Sequence, residues 1–570
     1  ITSFCLIYIK FIMNDLYQEI LNQHTAPGQM FETKDVVNEN GVTFKEYINL
    51  PDSLRGYLDF ALAHAEKECL VYEDERYTYK EVFEKSAQTG NALIKAGIKK
   101  GDRVAICMQN NPEFVYSYFG IVGIGAVCVP LNSWWVPLEV IYALEHSDAK
   151  LLIGDSKRLQ GLESLPNLTK IVTSYTPDSS FTSFDAFISE HNKTFPEVKI
   201  GRDDHATIYY TSGSTGKPKG VLSSQKAVLA TMFSWACFSS VMNQVEAQRN
   251  PDAAAIVSPE SVILHCVPLF HVTGSHAGLL MSVLVGRKIV MMKKWDAGLA
   301  LKLIEQEKVT DITGVPTQTW ELLNHPERLN YDLSSLKTLA AGGAPRPAEH
   351  VKKLDAEFEA RPAIGYGLSE TNALGALGGG DEYINHPDST GRVVPPVTEI
   401  KIIDEDWNEL PEGEVGEVAI KSLGNMIGYW KNPQATKECM NDEGWFRSGD
   451  LGKFEGPFLY ILDRVKDIVI RGGENIACPE VEGAIYEHED ILEACVFGIP
   501  DERLGEILCA AIYLREDSKL SINELQSFLS TKLASFKIPV NIKYYKNKLP
   551  RVGSGKFDKP NLREQFIKNL

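Results

Sequence analysis

Tyr-Thr-Ser-Gly-Ser-Thr-Gly-Lys-Pro-Lys-Gly occupies residues 210–220, behind the apolar run Ala206–Tyr209 and ahead of a pattern of helical spacing from Val221 to Trp235. Strand, glycine-rich loop and helix in that order let free backbone N–H groups and hydroxyls wrap phosphate oxygens. Ser212, Ser214 and Thr215 offer hydroxyls, Gly213, Gly216 and Gly220 admit close backbone approach, and Lys217 and Lys219 supply positive charge. The stretch is not a Walker A loop, because Thr211 stands where the first glycine is required and Pro218 follows Lys217 where Ser or Thr is needed. A P-loop kinase or GTPase is therefore disfavoured. Taken alone, the same residues also read as a polar surface loop.

Outward from the loop, short β-rich runs alternate with helical patterns, the sequence form of βα units on a largely parallel sheet. Strands are expected at Arg103–Met108, Ala126–Leu131, Lys150–Gly154, Lys288–Met292 and Thr338–Ala341. Asn111 reads as an N-cap with Pro112 as the first helical residue. From about residue 385 the texture changes to closely spaced strands and turns, which predicts a β-rich subdomain over 385–463. A compact α/β unit follows, with a helix after Pro479, strands at Ala494–Ile499 and Ile507–Leu514, and a helix opened by the Ser521/Glu524 capping box. The fold class is thus α/β: a large N-terminal domain over 13–463 and a small mobile C-terminal domain over 464–570.

The chain has 570 residues, too many for one ordinary core. A formal net charge of −18 opposes broad attraction to nucleic acid or anionic lipid, so an anionic ligand needs a local positive pocket. Ten scattered cysteines without a C-x-x-C pair suit a reducing compartment, and the cytoplasm is the expected location. Residues 1–12 are expected to be a non-native or disordered extension ahead of Met13, with a peripheral membrane anchor as the alternative. No transmembrane helix is expected. Residues 241–260 fit no motif.

Four further segments stand in order behind the loop: GYGLSET at 365–371, FRSGD at 446–450, LDRVKDIVIRGGENI at 462–476 and LPRVGSGKFDK at 549–559. Together they resemble the adenylate-forming superfamily of acyl-CoA synthetases, luciferases and peptide-synthetase adenylation domains, from about residue 50 onward. The resemblance implies an ATP-dependent acid:CoA ligase, which adenylates a carboxylic acid with pyrophosphate release and then forms the CoA thioester with release of AMP. Carboxylate attack on the α-phosphorus brings anions together, so positioned cations and donors carry such catalysis.

By the same resemblance, Thr211 and the loop 212–220 hold the β- and γ-phosphates, Ser369 meets the α-phosphate and Glu370 coordinates Mg2+. Asp450 accepts from the ribose hydroxyls with Arg464 beside it, Tyr366 borders the adenine, and Lys556 reaches the bridging and carboxylate oxygens. Gly343, Ala344, Gly365, Gly367, Thr371 and Ile461 complete the nucleotide-facing set. The acid pocket is bounded by Pro268–Gly274, Gly314–Thr317 and Ala341–Pro345. Gly314, Gly342, Gly343 and Gly367 lie on its wall, and His271 is either its gate or a satisfied core histidine. The bare Gly342 and Gly343 are expected to leave room for an extended chain, which points to a medium- or long-chain fatty acid. Lys466 marks a hinge at 464–467, about which Gly472, Gly473 and Glu474 swing in to replace Lys556 and line the CoA channel. Ser369 and Ser448 stand where the family more often has Thr, which keeps the hydroxyl.

The implied co-substrates are ATP and coenzyme A, with Mg2+ and a small carboxylic acid, in a monomer or homodimer without nucleic acid. An aryl-acid ligase, a free-standing enzyme that loads a carrier protein, a luciferase-like oxidase and an inactive nucleotide-binding homologue remain open at this point.

Overall fold

The computed structural model describes residues 16–38, 41–162, 170–174, 181–211, 217–249, 260–472, 474–553 and 555–568. Two large sheets carry the first four-fifths of it. One has eight strands among the described residues, with Gly428–Tyr429, Lys219–Ser224 and His205–Thr211 at one side and Val127–Pro130, Arg103–Cys107 and Ala149–Asp155 following in that order. The expected strands match these bounds to within one or two residues. Asn111 caps the helix Pro112–Gly123 as its pattern predicts, its side chain accepting from Phe114 N–H. That helix is buried along its length against Tyr79–Lys95, and Gly120 is what lets the two approach: a Cβ there would lie 2.7 Å from Thr89 Cβ.

The structure corrects one expectation at the loop itself. Val221 does not open a helix. Residues 219–224 form a strand antiparallel to His205–Thr211, pairing Thr211 with Lys219, and the helix begins only at Gln225 and runs to Arg249. Val221 and Leu222 bury in two different clusters, one on each face of the sheet, which an apolar tally along the chain cannot separate from a helix stripe. The phosphate-loop candidate therefore joins two strands, and the first helix after it among the described residues opens at Gln225. Helix Gln225–Arg249 also takes in part of the uninterpreted 241–260 stretch, and is buried continuously from Ala227 through Trp235.

The second sheet has thirteen strands among the described residues. Its parallel centre holds Val262–His265, Asp311–Gly314, Thr338–Gly342 and Arg361–Tyr366 in register. The β-rich stretch beyond residue 385 extends this same sheet. Gly391–Val393 pairs with Phe458–Leu459 on one side and with Ala376–Leu377 on the other, and Phe446–Glu455, Gly416–Ser422 and Thr398–Ile403 follow antiparallel.

A separate five-stranded sheet is built around Gly505–Leu514, which pairs antiparallel with Ile491–Asp501 and parallel with Asn541–Tyr545. Helix Ile522–Ser530 starts at the Ser521/Glu524 capping box, both of whose reciprocal bonds are present. No helix among the described residues is long and apolar enough to cross a membrane.

Candidate active site

Parallel strands expose ligand sites at their carboxyl ends, and several of the predicted residues gather there. Gly342 and Tyr366 end neighbouring strands, the first pairing with Gly365. Beyond Tyr366 the chain turns at Gly367, where a Cβ would come within 2.4 Å of the Ala373 backbone, and Ser369–Thr371 forms one short turn. Thr371 is fully buried and its hydroxyl serves that turn by accepting from Leu368 N–H at 3.1 Å. Glu370 is 9% exposed, and its Oε1 accepts from Tyr429 Oη–H at 2.8 Å.

Tyr429 carries the link to the glycine-rich loop. Its strand pairs with Lys219–Ser224, and Lys219 Nζ lies 4.8 Å over its ring. Glu370 and the exit of the loop thus share one side chain. Lys217 Nζ sits 5.4 Å over the Tyr142 ring. Ser212, Gly213, Ser214, Thr215, Gly216 and Gly473 lie outside the described residues. Gly220 packs under Trp430, whose backbone N–H donates to Gly220 O at 2.7 Å.

The second half of the site is an acid–cation constellation. Asp450 and Arg464 face each other across paired strands, with Arg464 Nε 3.1 Å from Asp450 Oδ1, while Tyr366 Oη–H donates to Oδ2 at 2.8 Å. Burial pushes the Asp450 carboxyl up and Arg464 pulls it back. Ile461 packs near Tyr366 and Leu368 on the same sheet. Lys556 is inserted here from the C-terminal unit: a Cβ on Gly343, which has φ +74°, would lie 3.4 Å from Lys556 Cε and 3.6 Å from Nζ. Burial and the Arg464 charge bring the lysine down to about 8 against the opposing pull of Asp450.

Gly342 lies against its neighbour strand, where a Cβ would meet Gly365 O at 3.0 Å, and Gly343 takes the left-handed φ of +74° with Lys556 at ordinary contact distance. His271 is not a satisfied core histidine: its Nε2 is buried with no hydrogen-bond partner among the described residues, and burial together with Lys556 holds it down at about 4. Its ring is therefore neutral with Nε2 uncommitted, and the Lys556 charge bears on it. At Gly314 a Cβ would collide with Gln318 Oε1 at 2.4 Å.

Lys556 is held by a turn in which Val552 N–H donates to Lys556 O at 2.9 Å and Gly555 O accepts from Arg551 Nη1 at 2.9 Å. Arg551 in turn meets Glu493 at 2.6 Å and Glu321 at 3.3 Å, and Lys548 meets Glu321 at 3.0 Å. Trp320 Nε1–H donates to Leu492 O at 2.8 Å. These contacts dock the C-terminal unit with Lys556 inward. Gly472 and Glu474 take no part in this assembly. Gly472, at φ +61°, donates its N–H to Leu504 O at 2.7 Å within the C-terminal unit, and Lys466 is exposed in the turn that precedes it.

The set fits a nucleotide with a hard cation. Among the described residues no group of three or more His, Cys, Asp or Glu side chains could hold a metal ion. Glu370 offers a carboxylate oxygen that takes no hydrogen bond from a described residue, and one carboxylate plus phosphate oxygens is a coordination Mg2+ accepts. Tyr429 and Glu321 escaped the sequence reading because neither lies in a recognisable motif.

Comparison with known proteins follows the geometry. The AMP-binding enzyme family profile matches residues 59–430, and that of the AMP-binding enzyme C-terminal domain matches 480–556. The chain is 33% identical to a feruloyl-CoA synthase of an Amycolatopsis species over 86% of its own length and 94% of that protein. It is 31% identical to a long-chain-fatty-acid–CoA ligase of Bacillus subtilis over 90% of its length and 94% of that protein. In fold it resembles an anthranilate CoA ligase in complex with anthranoyl-AMP, with a TM-score of 0.81 at 24% identity over 91% of this chain and 98% of that one.

Proposed function

Because this chain belongs to the AMP-binding enzyme family, alongside acid–CoA ligases over most of its length, we propose that it joins a hydrophobic monocarboxylic acid to coenzyme A through an acyl-adenylate. One observation supports this reading above the others. Lys556 from the C-terminal unit bears on Asp450 and Arg464, which come from two adjacent strands of the large sheet, and on His271 from another segment, while Tyr366, three residues before Ser369, donates to Asp450.

In the first half-reaction Asp450, backed by Arg464 and Tyr366, takes the ribose hydroxyls, and the loop between Thr211 and Lys219 takes the terminal phosphates. The acid enters past His271, and its carboxylate oxygen attacks the α-phosphorus as the bond to pyrophosphate breaks. Lys556, entering over Gly343, places its ammonium where charge grows on the reacting oxygens. Ser369 donates to the α-phosphate. Glu370 would hold Mg2+, which would neutralise phosphate charge when bound. In the second, the CoA thiolate attacks the acyl carbonyl and AMP leaves. The Lys556 turn has to withdraw for this, and rotation about 464–467 brings the Gly472–Glu474 hairpin to the channel.

The acid's tail is uncharged on this reading, since Pro268–Gly274, Gly314–Thr317 and Ala341–Ala344 contain no Lys, Arg, Asp or Glu and His271 is held neutral. Medium- and long-chain fatty acids are the first class to test. Aryl acids are the second, favoured by the likeness to feruloyl-CoA synthase. Pyrophosphate release should be measured with acetate through palmitate and with benzoate and cinnamate types, followed by AMP release on adding CoA. Lys556→Ala should lower pyrophosphate release by roughly 10²- to 10³-fold, the size of losing one transition-state donor. Nucleotide binding and thioester formation from supplied acyl-AMP should largely survive. Equal loss of both half-reactions would overturn the assignment.

A further inference from the structure

Behind the Ser369–Glu370 turn lies a buried chain of polar side chains that no step above employs. Asn372 follows the turn in the left-handed region, φ +52° and ψ +34°, and is completely buried. Its Nδ2 donates to Gly424 O at 2.8 Å and to Ser223 Oγ at 3.0 Å. A backbone carbonyl only accepts, so the amide's orientation is fixed, and Oδ1 is left facing His276 Nε2 at 3.1 Å. Oδ1 cannot donate, so a proton is on His276 Nε2, and Nδ1 faces Ser275 Oγ at 3.0 Å, whose single proton is shared between Nδ1 and His271 O, also at 3.0 Å. Tyr209 Oη–H closes the series by donating to Ser275 Oγ at 2.6 Å.

The path has a particular geography. Tyr209 is on the strand that enters the glycine-rich loop and Ser223 is on the strand that leaves it. Between them the bonds pass through the π-helix Thr273–Leu280, which follows His271, and through the residue that ends the Glu370 turn. Asn372 N–H also donates to Ser369 O at 3.1 Å, and Met426 N–H donates to Glu370 O at 2.7 Å. Every side chain of the series is buried and bonded to the next, so displacing any one strands a buried polar group.

Resting on the ligase reading and on Glu370 as its cation ligand, we infer that Asn372, oriented by His276, is a positioning residue for adenylation. It fixes the Ser369–Glu370 turn against both strands flanking the loop, so that the carboxylate and the loop meet the same triphosphate. Neither residue touches substrate. Supporting groups of this kind typically shift metal affinity by about 10- to 100-fold when removed.

The test is calorimetric titration of ATP with and without Mg2+, and of AMP, into wild type, Asn372→Gly, His276→Leu and His276→Gln. Glycine keeps the left-handed backbone, so Asn372→Gly removes the amide alone. It should weaken Mg2+-dependent ATP binding by about 10-fold or more. AMP binding and thioester formation from supplied acyl-AMP should be unchanged. His276→Leu should match it, and His276→Gln, which keeps a donor for Asn372 Oδ1, should recover most of the affinity. Should Asn372→Gly not fold, the Leu and Gln variants at 276 read the same bond. Unchanged Mg2+–ATP affinity in the folded variants would overturn the inference, as would parallel loss of ATP affinity, AMP affinity and thioesterification, the mark of a merely structural role. Wild type that binds Mg2+–ATP yet releases no pyrophosphate with any acid would instead sink the ligase reading, while the titrations still decide the role of Asn372.

Discussion

Lys556 has nearly every determinant of its chemistry within one side-chain length. Burial and Arg464 favour the neutral amine, Asp450 favours the ammonium, and the balance falls at about 8. Adenylation needs the charged form, so kcat/KM for pyrophosphate release should fall as pH rises through about 8 in the free enzyme. The second half-reaction, started from acyl-AMP and CoA, should lack a limb at that pH attributable to Lys556, since the lysine is then withdrawn. Identical profiles for the two would count against the assignment. Lys556 itself was legible in the sequence because it sits in a glycine-flanked motif with upstream partners. Its surroundings were not. The Tyr429–Glu370 bond spans 59 residues and the Asn372–Ser223 bond spans 149, and no local spacing encodes such pairs.

Elements whose partners are local were read from the chain, and those decided by sheet neighbours were not. The Asn111 cap and the Ser521/Glu524 box depend on residues three apart and appear as expected. Residues 219–224 became a strand because strands on both sides supply their hydrogen bonds, information that lies partly at residues 428–429. The helix Pro316–Leu323 likewise had no visible purpose in sequence. In the structure its Glu321 meets Lys548 and Arg551 and so helps to seat the Lys556 turn. Both pairs are partly exposed, and such pairs are worth about 0.2–1 kcal/mol each. Glu321→Gln should therefore slow adenylation about two- to fivefold. It should not slow thioesterification, and added salt should narrow the gap between variant and wild type. If both half-reactions slow alike, the helix supports the fold and not the docked arrangement.

Across the whole molecule, acid sensitivity follows from how many histidines the two large sheets and their helices enclose. His265, His271 and His276 are each held down at about 4 by burial, and His350, stacked on Trp320 at 3.8 Å with Tyr486 edge-on at 4.5 Å, is held well below its ordinary value by burial. In the unfolded chain each titrates near 6.5. These depressed values stabilise nothing above pH 6.5, where both states are neutral. Below it the unfolded state takes up protons that the folded state refuses, so stability is lost as pH falls from about 6.5 toward 4. Glu113, pushed up to about 7 by burial, works in the opposite direction because the folded state protonates it first, and burial raises Asp388, Glu417, Asp450 and Asp463 likewise; Asp102, Asp204 and Glu307, held down by lysine or arginine partners and hydrogen bonds, side with the histidines. Tm should accordingly drop between pH 7 and pH 4.5. Unfolding at pH 5 should also be accompanied by net proton uptake, measurable from the dependence of calorimetric enthalpy on buffer ionisation. His350→Phe keeps an aromatic ring between Trp320 and Tyr486 while removing one titrating group, so it should flatten that drop by about one proton's worth of slope, roughly 1.4 kcal/mol per pH unit. A His350→Phe variant whose slope equals that of wild type would show that this ring already carries its proton in the folded chain.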